Sequence, residues 1–549
     1  MNLPKVPPTL PVWATGLMFS LPFLAPWHRL PVPTFYNEWL AGLLGLLASG
    51  LLFLSKPAGT PRIPFIALLP LGTAALIMVQ AAAGMLPYIE VAILGSSYLI
   101  WATLLVIAGY LLRTTLGLQY SVRLLALSLL ASGVISSIIA ILQAMGLDGG
   151  LVFDSSGRGM ANMAQSNHLA NYLGLALGSA AYLRLTSRLK TALYLPIIFM
   201  LLTGLALSGS RSTWLYLVLV AALSLWFSSM HAPAARRQRL EALALVPLFA
   251  AVQWFLPWLL RLGGAEVPEM PSQRIALQWS SVSVRWLIWQ EAWSMFWHHP
   301  WLGVGFEQFH WESFLLKGSA ETAALPPTEH AHNIVLQFLA EFGLAGGLLL
   351  AWAAGHWLTA LFRAPRQVEH FWLWALIGVT GLHSLLEYPL WHAHFLGIAA
   401  VILGMGSQSH LRLTATAAMG KLLAAACGLL LVQLVSLGGS YLKLEMWVNR
   451  AIVKTIEDKD LKAFQRDLQS IEKSQLRPYA ERIYAQSISP AQSSQAIPLG
   501  VYERAMQFMP EKTLAEHYAG ALTLAGNVKR ASEINRLARA SFLNGIKAE

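Results

Sequence analysis

Long apolar stretches separated by short polar connections run along most of the chain. A helix crosses the hydrocarbon core of a bilayer in about 20 residues. Apolar runs of that order lie near 10–26, 36–55, 63–83, 88–112, 121–146, 168–184, 191–208, 212–229, 241–261, 333–355, 371–386, 389–407 and 421–440. They predict about thirteen transmembrane spans. After 440 the pattern changes: "LEMWVNRAIVKTIEDKDLKAFQRDLQSIEKS" mixes charges with helical periodicity, and 499–543 reads as two further amphipathic helices. The expected fold is all-α, a polytopic transmembrane helix bundle over 1–440 followed by a helical C-terminal domain over 441–549. "AEHYAGALTLAGNVKRASEINRLARAS" has the small-residue spacing of a helix-turn-helix repeat. One and a half such repeats suggest a tetratricopeptide-like domain without establishing one.

Composition supports the membrane reading. Of the 549 residues, 56% are hydrophobic and 12% charged, whereas soluble proteins carry about 25% charged residues. The 21 Trp and 15 Tyr suit the headgroup level, where amphipathic rings settle. A net charge of +11 would suit nucleic acid, but the basic residues sit in short loops between apolar runs, so no nucleic-acid partner is expected. The lone Cys427 lies in an apolar run and excludes a disulfide framework. No small-residue cleavage site follows the first apolar stretch, which therefore reads as a retained helix.

The Lys/Arg bias of short loops predicts orientation. Alternate connections hold Lys56 and Arg62; Arg113 and Arg123; Arg184, Arg188 and Lys190; Arg236, Arg237 and Arg239; Arg363 and Arg366; Arg412 and Lys421. With the N-terminus inside, all of these are cytoplasmic, and an odd number of spans leaves the C-terminal domain outside. The opposite, outer face then carries Arg158, Arg211, Arg261, Arg274 and Arg285 together with His168, His330, His332 and Glu387. A single outer arginine snorkelling to headgroups is ordinary. A set recurring at several outer helix ends points to an anionic ligand.

The longest outer connection spans 262–332. Within it "SVRWLIWQEAWSMFW" (283–297) is helix-like, Trp-rich and too broken to span, so it is expected in the interface plane or against the bundle. In "HHPWLGVGF", Pro300, Gly303 and Gly305 end that helix in a turn.

Three outer strings suggest chemistry. "SGSRSTW" (208–214) puts Arg211 at the start of a span, "VRWLIWQEAW" carries Arg285, and "EHAHNIVLQFLAEFGLAGG" (329–347) brings His330, His332 and Asn333 to the outer end of another span. Guanidinium groups recognise phosphate in bidentate fashion, and an imidazole can take a proton from a hydroxyl. "GRGMANMAQSNHLANYL" (157–173) suits sugar hydroxyls or a pyrophosphate, although its Asn and Ser would equally serve as a helix cap. In "LHSLLEYPLWHAHF" (382–395), Glu387 either orients a histidine, binds substrate or is merely solvated. No carboxylate cluster or metal-spaced His/Cys set appears, so neither a metal site nor a cofactor is expected.

At these residues the chain resembles the O-antigen ligase (Wzy/WaaL-like) superfamily, and most closely its bacterial protein O-oligosaccharyltransferases of the PglL type. "QSNHLANYL" resembles a Gln-x-Asn-His element of that branch and "SGSRSTW" the superfamily's Ser-Arg element. "VRWLIWQEAWSMFWHHPWLGVGFEQF" is similar to its Arg-x-x-x-Trp helix followed by Pro-x-x-Gly-x-Gly. "HAHNIVLQFLAEFGLAG" resembles a His-Asn-x-x-Leu element, and "HSLLEYPLWHAHF" a stretch typical of pilin-glycosylating members. The strings fall in the expected order, and the resemblance covers roughly 150–408 well.

The resemblance implies a multi-pass protein of the bacterial inner membrane, with its site and C-terminal domain facing the periplasm. It implies inverting, metal-independent transfer of an oligosaccharide from undecaprenyl diphosphate to an acceptor hydroxyl. His332 would be the general base, and Arg211 and Arg285 would bind the diphosphate and stabilise its growing charge. Gln165, Asn167 and His168 would line the site with Arg158, Asn333 would position His332, and Glu387 is a further candidate. His330 competes with His332 for the base role. The expected acceptor is a serine or threonine of a pilin-like protein. Rival readings are an O-antigen ligase acting on lipid A–core, a polymerase extending a lipid-linked glycan, and, from another class, a membrane transporter.

Overall fold

The computed structural model describes residues 9–55, 62–155, 159–228, 235–265, 267–277, 280–318, 325–365, 367–412, 418–453, 458–487 and 497–542. Among them the regular elements are helices, apart from one antiparallel strand pair that joins Arg62–Pro64 to His410–Arg412 and a single bridge between Gly149 and Val152. Lys56, Arg158 and Arg366 lie outside the described residues.

The expected count of about thirteen spans is corrected. Among the described residues, seven helices are long and apolar enough to cross a membrane: Phe35–Ser55, Phe65–Ala82, Ile89–Leu116, Leu118–Ala144, Arg236–Leu262, Ile334–Arg363 and Met419–Arg450. Most of the other apolar runs overstated helix length, because they counted apolar residues in the connecting turns. Ser166–Leu185, by contrast, has 20 residues but carries Asn167, His168, Asn171 and Arg184 and is too polar to count. Leu10–Met18 and Leu21–Leu24 divide the first run. Thr191–Leu207, Thr213–Ser228 and Ala393–Gly406 have 17, 16 and 14 residues, or roughly 21–26 Å at 1.5 Å per residue, short of a hydrocarbon core of about 30 Å. The chain is a polytopic membrane protein with a smaller set of full-length spans and several shorter apolar helices packed among them.

One of those other helices is the centre of the bundle. Ser166–Leu185 is buried continuously from His168 to Leu183. It packs against Leu118–Ala144, Thr191–Leu207, Thr213–Ser228 and Val368–Ser384, as expected of a helix that is apolar and small-residue-rich all round. Its first residues, Ser166, Asn167 and His168, therefore emerge at the end of the bundle axis.

The two ends of the bundle are held by different contacts. Ile89–Leu116 runs away from the end marked by Tyr88, and Leu118–Ala144 returns to it. At the far end Arg113 donates to the carbonyls of Met405 and Ser407 (3.2 and 3.0 Å), and Arg184 pairs with Glu241 at 2.7 Å. At the near end the C-terminal helices dock: Tyr88 donates to Glu481 at 2.8 Å, and Arg477 pairs with Glu90 at 3.3 Å.

Those C-terminal helices form two small cores. Tyr441, Leu444 and Trp447, at the end of Ala418–Val453, pack with Phe464, Leu468 and Ile471. Tyr502, Met506, Leu514, Tyr518, Ile534 and Leu537 enclose Trp311 and Phe314 from the short helix Phe309–Leu316. The long outer connection is thus held between bundle and C-terminal helices. A buried ion pair between Lys317 and Glu291 ties this short helix to Ser280–His298, with Ser313 donating to the same carboxylate at 2.7 Å.

The Pro-x-x-Gly-x-Gly segment does more than end a helix. Ile334–Arg363 is broken at Gly343 (φ 60°, ψ −152°), and 300–305 fills the break. Val304 and Gly305 N–H groups donate to the carbonyls of Ala340 and Glu341 (2.8 and 3.2 Å). In return the carbonyls of Pro300 and Trp301 accept from Leu344 and Ala345 (2.7 and 3.2 Å). The Gln80 amide donates to the carbonyls of Leu302 and Glu341 (2.8 and 2.7 Å). Irregular backbone within a membrane helix persists only when protein satisfies its polar groups, and here it does.

Candidate active site

The site assembles at the near end from chain segments far apart in sequence. Asn167 begins the central helix, Arg211 precedes Thr213–Ser228, and Arg285 lies on Ser280–His298. His332 and Asn333 precede Ile334–Arg363, and Glu387 lies in the turn after Val368–Ser384.

Glu387 is the hub. Its Oε1 accepts from Asn167 Nδ2 at 2.9 Å and from Arg285 Nη2 at 2.7 Å, while Oε2 meets His332 Nδ1 at 2.7 Å. Its side chain is buried, whereas His332 and Arg285 remain 29% and 28% exposed, leaving both accessible to a ligand. Burial pushes the Glu387 carboxyl up. The hydrogen bond from His332 and the charges of His332, Arg285 and His383 outweigh burial and hold it below the usual carboxylate range.

The histidine loop is rigidly held. His332 has φ 50°, a left-handed conformation uncommon for a residue with a Cβ. Its neighbours enforce it. Asn333 caps the helix by accepting from Val335 and Leu336 N–H (3.0 and 3.2 Å), and its Nδ2 reaches the Leu385 carbonyl at 3.3 Å. Ala331 N–H donates to Gln337 at 2.6 Å, and the Trp289 indole donates to the Ala331 carbonyl at 3.1 Å. Asn333 thus ties the loop carrying His332 to the turn carrying Glu387.

Beside the hub is a cavity of about 180 Å³ lined by Asn167, Ser210, Arg211, Ser212, Arg274 and Arg285, with Leu215 and Leu386. Burial, and then the positive charges of Arg285 and Arg274, lower the Arg211 pKa from its ordinary value. Crowded guanidiniums of this kind are relieved by an anion. Arg274 also donates to the Gly209 carbonyl at 3.4 Å and pairs with Glu269 at 3.5 Å.

The second histidine has a different setting. His330 packs against Tyr388 and Trp391, with ring centroids 4.3 and 5.3 Å away. Burial, followed by the imidazoles of His332, His392 and His310, pushes its pKa down to about 3. His168 is buried against His392, ring to ring at 4.5 Å. Gln165, immediately before the central helix, lies beside Tyr388.

Of the residues singled out in the sequence, Asn167, Arg211, Arg285, His332, Asn333 and Glu387 surround the hub and its cavity, and Gln165, His168 and His330 line the adjoining side. Arg158 lies outside the described residues. Three contributors were not singled out in the sequence. Arg274 has no motif and was visible only as an outer arginine, whereas Tyr388 and His392 lie in the string around Glu387.

Comparisons with known proteins fit this arrangement. Residues 196–351 match the family described as O-antigen ligase, and residues 371–548 match that described as virulence factor membrane-bound polymerase, C-terminal. The first stretch carries the three arginines and His332, the second Glu387 and the C-terminal helices. A General O-oligosaccharyltransferase from Acinetobacter baylyi (strain ATCC 33305 / BD413 / ADP1) is 29% identical over 402 residues, covering 71% of this chain and 68% of the relative. A ComP-specific O-oligosaccharyltransferase from the same organism is 24% identical over 264 residues, 48% of this chain and 46% of that relative. The paired family matches, the aligned relatives and the helical membrane architecture agree: the chain belongs to the O-antigen ligase superfamily, whose members act on lipid-linked glycans.

Proposed function

We propose that this protein is an inner-membrane O-oligosaccharyltransferase that moves an oligosaccharide from undecaprenyl diphosphate to a serine or threonine hydroxyl of a pilin-like protein at the periplasmic face. The observation that carries the reading is the Glu387 carboxylate shared between His332 and Arg285 beside an arginine-lined cavity. The names of the two relatives support a protein acceptor over lipid A–core. Orientation is supported by the positive-inside rule: Arg113 and Arg184 lie at the end opposite the site.

The chemistry follows from the contacts. Glu387 occupies His332 Nδ1, so Nε2 is the nitrogen left to take the acceptor's hydroxyl proton. The hydroxyl oxygen attacks the anomeric carbon as the bond from that carbon to the diphosphate oxygen breaks. The diphosphate leaves with the electron pair, and the configuration inverts. Arg211, Arg274 and Arg285 stabilise the charge that grows on it. Glu387 is a positioning residue that holds the imidazole tautomer and places Arg285.

The test is expression in cells carrying a defined lipid-linked oligosaccharide and candidate pilins, with mass spectrometry of pilin and lipopolysaccharide. Glycan on the pilin is expected in the wild type and absent in His332→Ala, with the variant still inserted in the membrane. Glycan found on lipid A–core and never on protein would overturn the reading.

A further inference from the structure

On the other side of His332 from the arginines lies a wall of different chemistry. Consecutive residues divide the two. Asn167 lines the arginine cavity, and His168 packs on His392. Glu387 holds Arg285, and Tyr388 turns its ring to His330, His332 and His392 at 4.3, 5.1 and 5.8 Å. Trp391 closes the group 5.3 Å from His330.

Among the described residues, three atoms of this wall that can accept a hydrogen bond are buried without a partner: His330 Nδ1, His392 Nε2 and Gln165 Oε1. Each belongs to a half-buried residue, so a ligand can reach the wall. His392 uses its other nitrogen on Glu38 at 3.2 Å, which leaves Nε2 as an acceptor when Nδ1 donates. Buried polar atoms require partners. Here they face aromatic rings, with no guanidinium among the residues named.

We infer that this wall is a subsite for the first sugar of the lipid-linked donor, a neutral pyranose held by hydroxyl hydrogen bonds to Gln165, His330 and His392 and by packing on Tyr388. The inference rests on the diphosphate reading of the arginine cavity. The two sites divide the donor by charge: its anion goes to Arg211, Arg274 and Arg285, and its uncharged ring goes to the wall. His332, between them, then faces the bond that joins the two halves. Burial keeps His330 uncharged near neutral pH, in keeping with a neutral ligand.

Isothermal titration in detergent separates the two sites, using farnesyl diphosphate and the same lipid diphosphate carrying a single N-acetylhexosamine or hexose. The wild type is expected to bind at least one sugar-bearing lipid more tightly than the bare diphosphate. Tyr388→Leu, or His330→Gln where the first fails to fold, is expected to weaken only the sugar-bearing ligand, by about five- to a hundredfold. Equal loss for both ligands, or loss for neither, overturns the subsite while leaving the arginine reading intact. A wild type that binds neither overturns both. Arg285→Ala is expected to weaken both ligands; if it leaves both unchanged, the arginine reading fails on its own.

Discussion

Glu387 and His332 are joined at 2.7 Å through Oε2 and Nδ1, across 55 positions of sequence, while the same carboxylate holds Arg285 at 2.7 Å through Oε1. One side chain therefore sets both the orientation of the imidazole and the position of a guanidinium. Glu387→Gln preserves the shape but removes the charge and presents an amide where a carboxylate accepted three donors. The expected result is a kcat for glycan transfer lower by about 10²–10⁴-fold, with a smaller change in KM. Transfer at wild-type kcat by Glu387→Gln would remove the positioning role.

The same carboxylate links stability to pH. Its native pKa is depressed, so its contribution is fully present above the ordinary carboxylate value and is lost as pH falls through the lower native value. In detergent, the melting-temperature difference between wild type and Glu387→Gln should stay constant from neutral pH down to the carboxylate range, then shrink in more acidic buffer. A difference that grows on acidification would contradict the depressed value.

The two histidines of "HAHN" should separate kinetically. His330, held near a pKa of 3 by burial and neighbouring imidazoles, is a poor proton acceptor at neutral pH. His330→Ala is expected to raise the donor KM while keeping most of kcat, whereas His332→Ala should abolish turnover. Steady-state kinetics with a fluorescent acceptor peptide checks this, and the reverse pattern would move the base to His330.

Part of this organisation is legible in the chain before folding. The apolar runs announce a helical membrane protein, and the strings around Gln165, Arg211, Arg285 and His332 carry residues that the structure brings to one end of the bundle. Helix length was less legible. The run 389–407 contains a 3-10 turn, and its helix begins only at Ala393, so apolarity alone counted turn residues as span. The segment 300–305 reads locally as a turn, yet its hydrogen bonds go to a helix 40 residues away. Glu387 gave the weakest signal, because a lone carboxylate in a turn looks the same solvated or central until its three partners arrive from other helices.

Arg274 tests the electrostatic reading of the cavity. "PSQRIAL" has no motif, but its arginine lines the same cavity as Arg211 and Arg285. Arg274→Ala should lower kcat by about 10²–10³-fold if the guanidinium stabilises the departing diphosphate, and Arg274→Lys should recover part of that through its retained charge. Equal activity of the Ala and Lys variants would assign Arg274 to binding Gly209 and Glu269 alone.

The inserted loop makes a prediction independent of catalysis. A Cβ at Gly303 would lie 2.3 Å from the Glu341 carbonyl carbon and 2.5 Å from the Ala340 oxygen, and one at Gly343 would lie 2.6 Å from the Trp301 carbonyl carbon. Both glycines also have positive φ, 70° and 60°, so an alanine meets backbone strain as well as backbone atoms. Neither neighbour is a flexible side-chain end able to swing aside. Gly303→Ala must therefore separate the loop from the broken helix, which strands the Ala340 carbonyl without its Val304 donor and leaves the Glu341 carbonyl only its Gln80 donor. Such losses cost about 1–3 kcal/mol per group. The expected outcome is a markedly lower melting temperature in detergent and reduced yield of inserted protein. Gly84→Ala serves as the control: its φ is also positive, but nothing lies within 4 Å of the added carbon, so it pays the strain without the clash and should melt much closer to the wild type. Similar melting of Gly303→Ala and Gly84→Ala would show that the loop does not hold the break together.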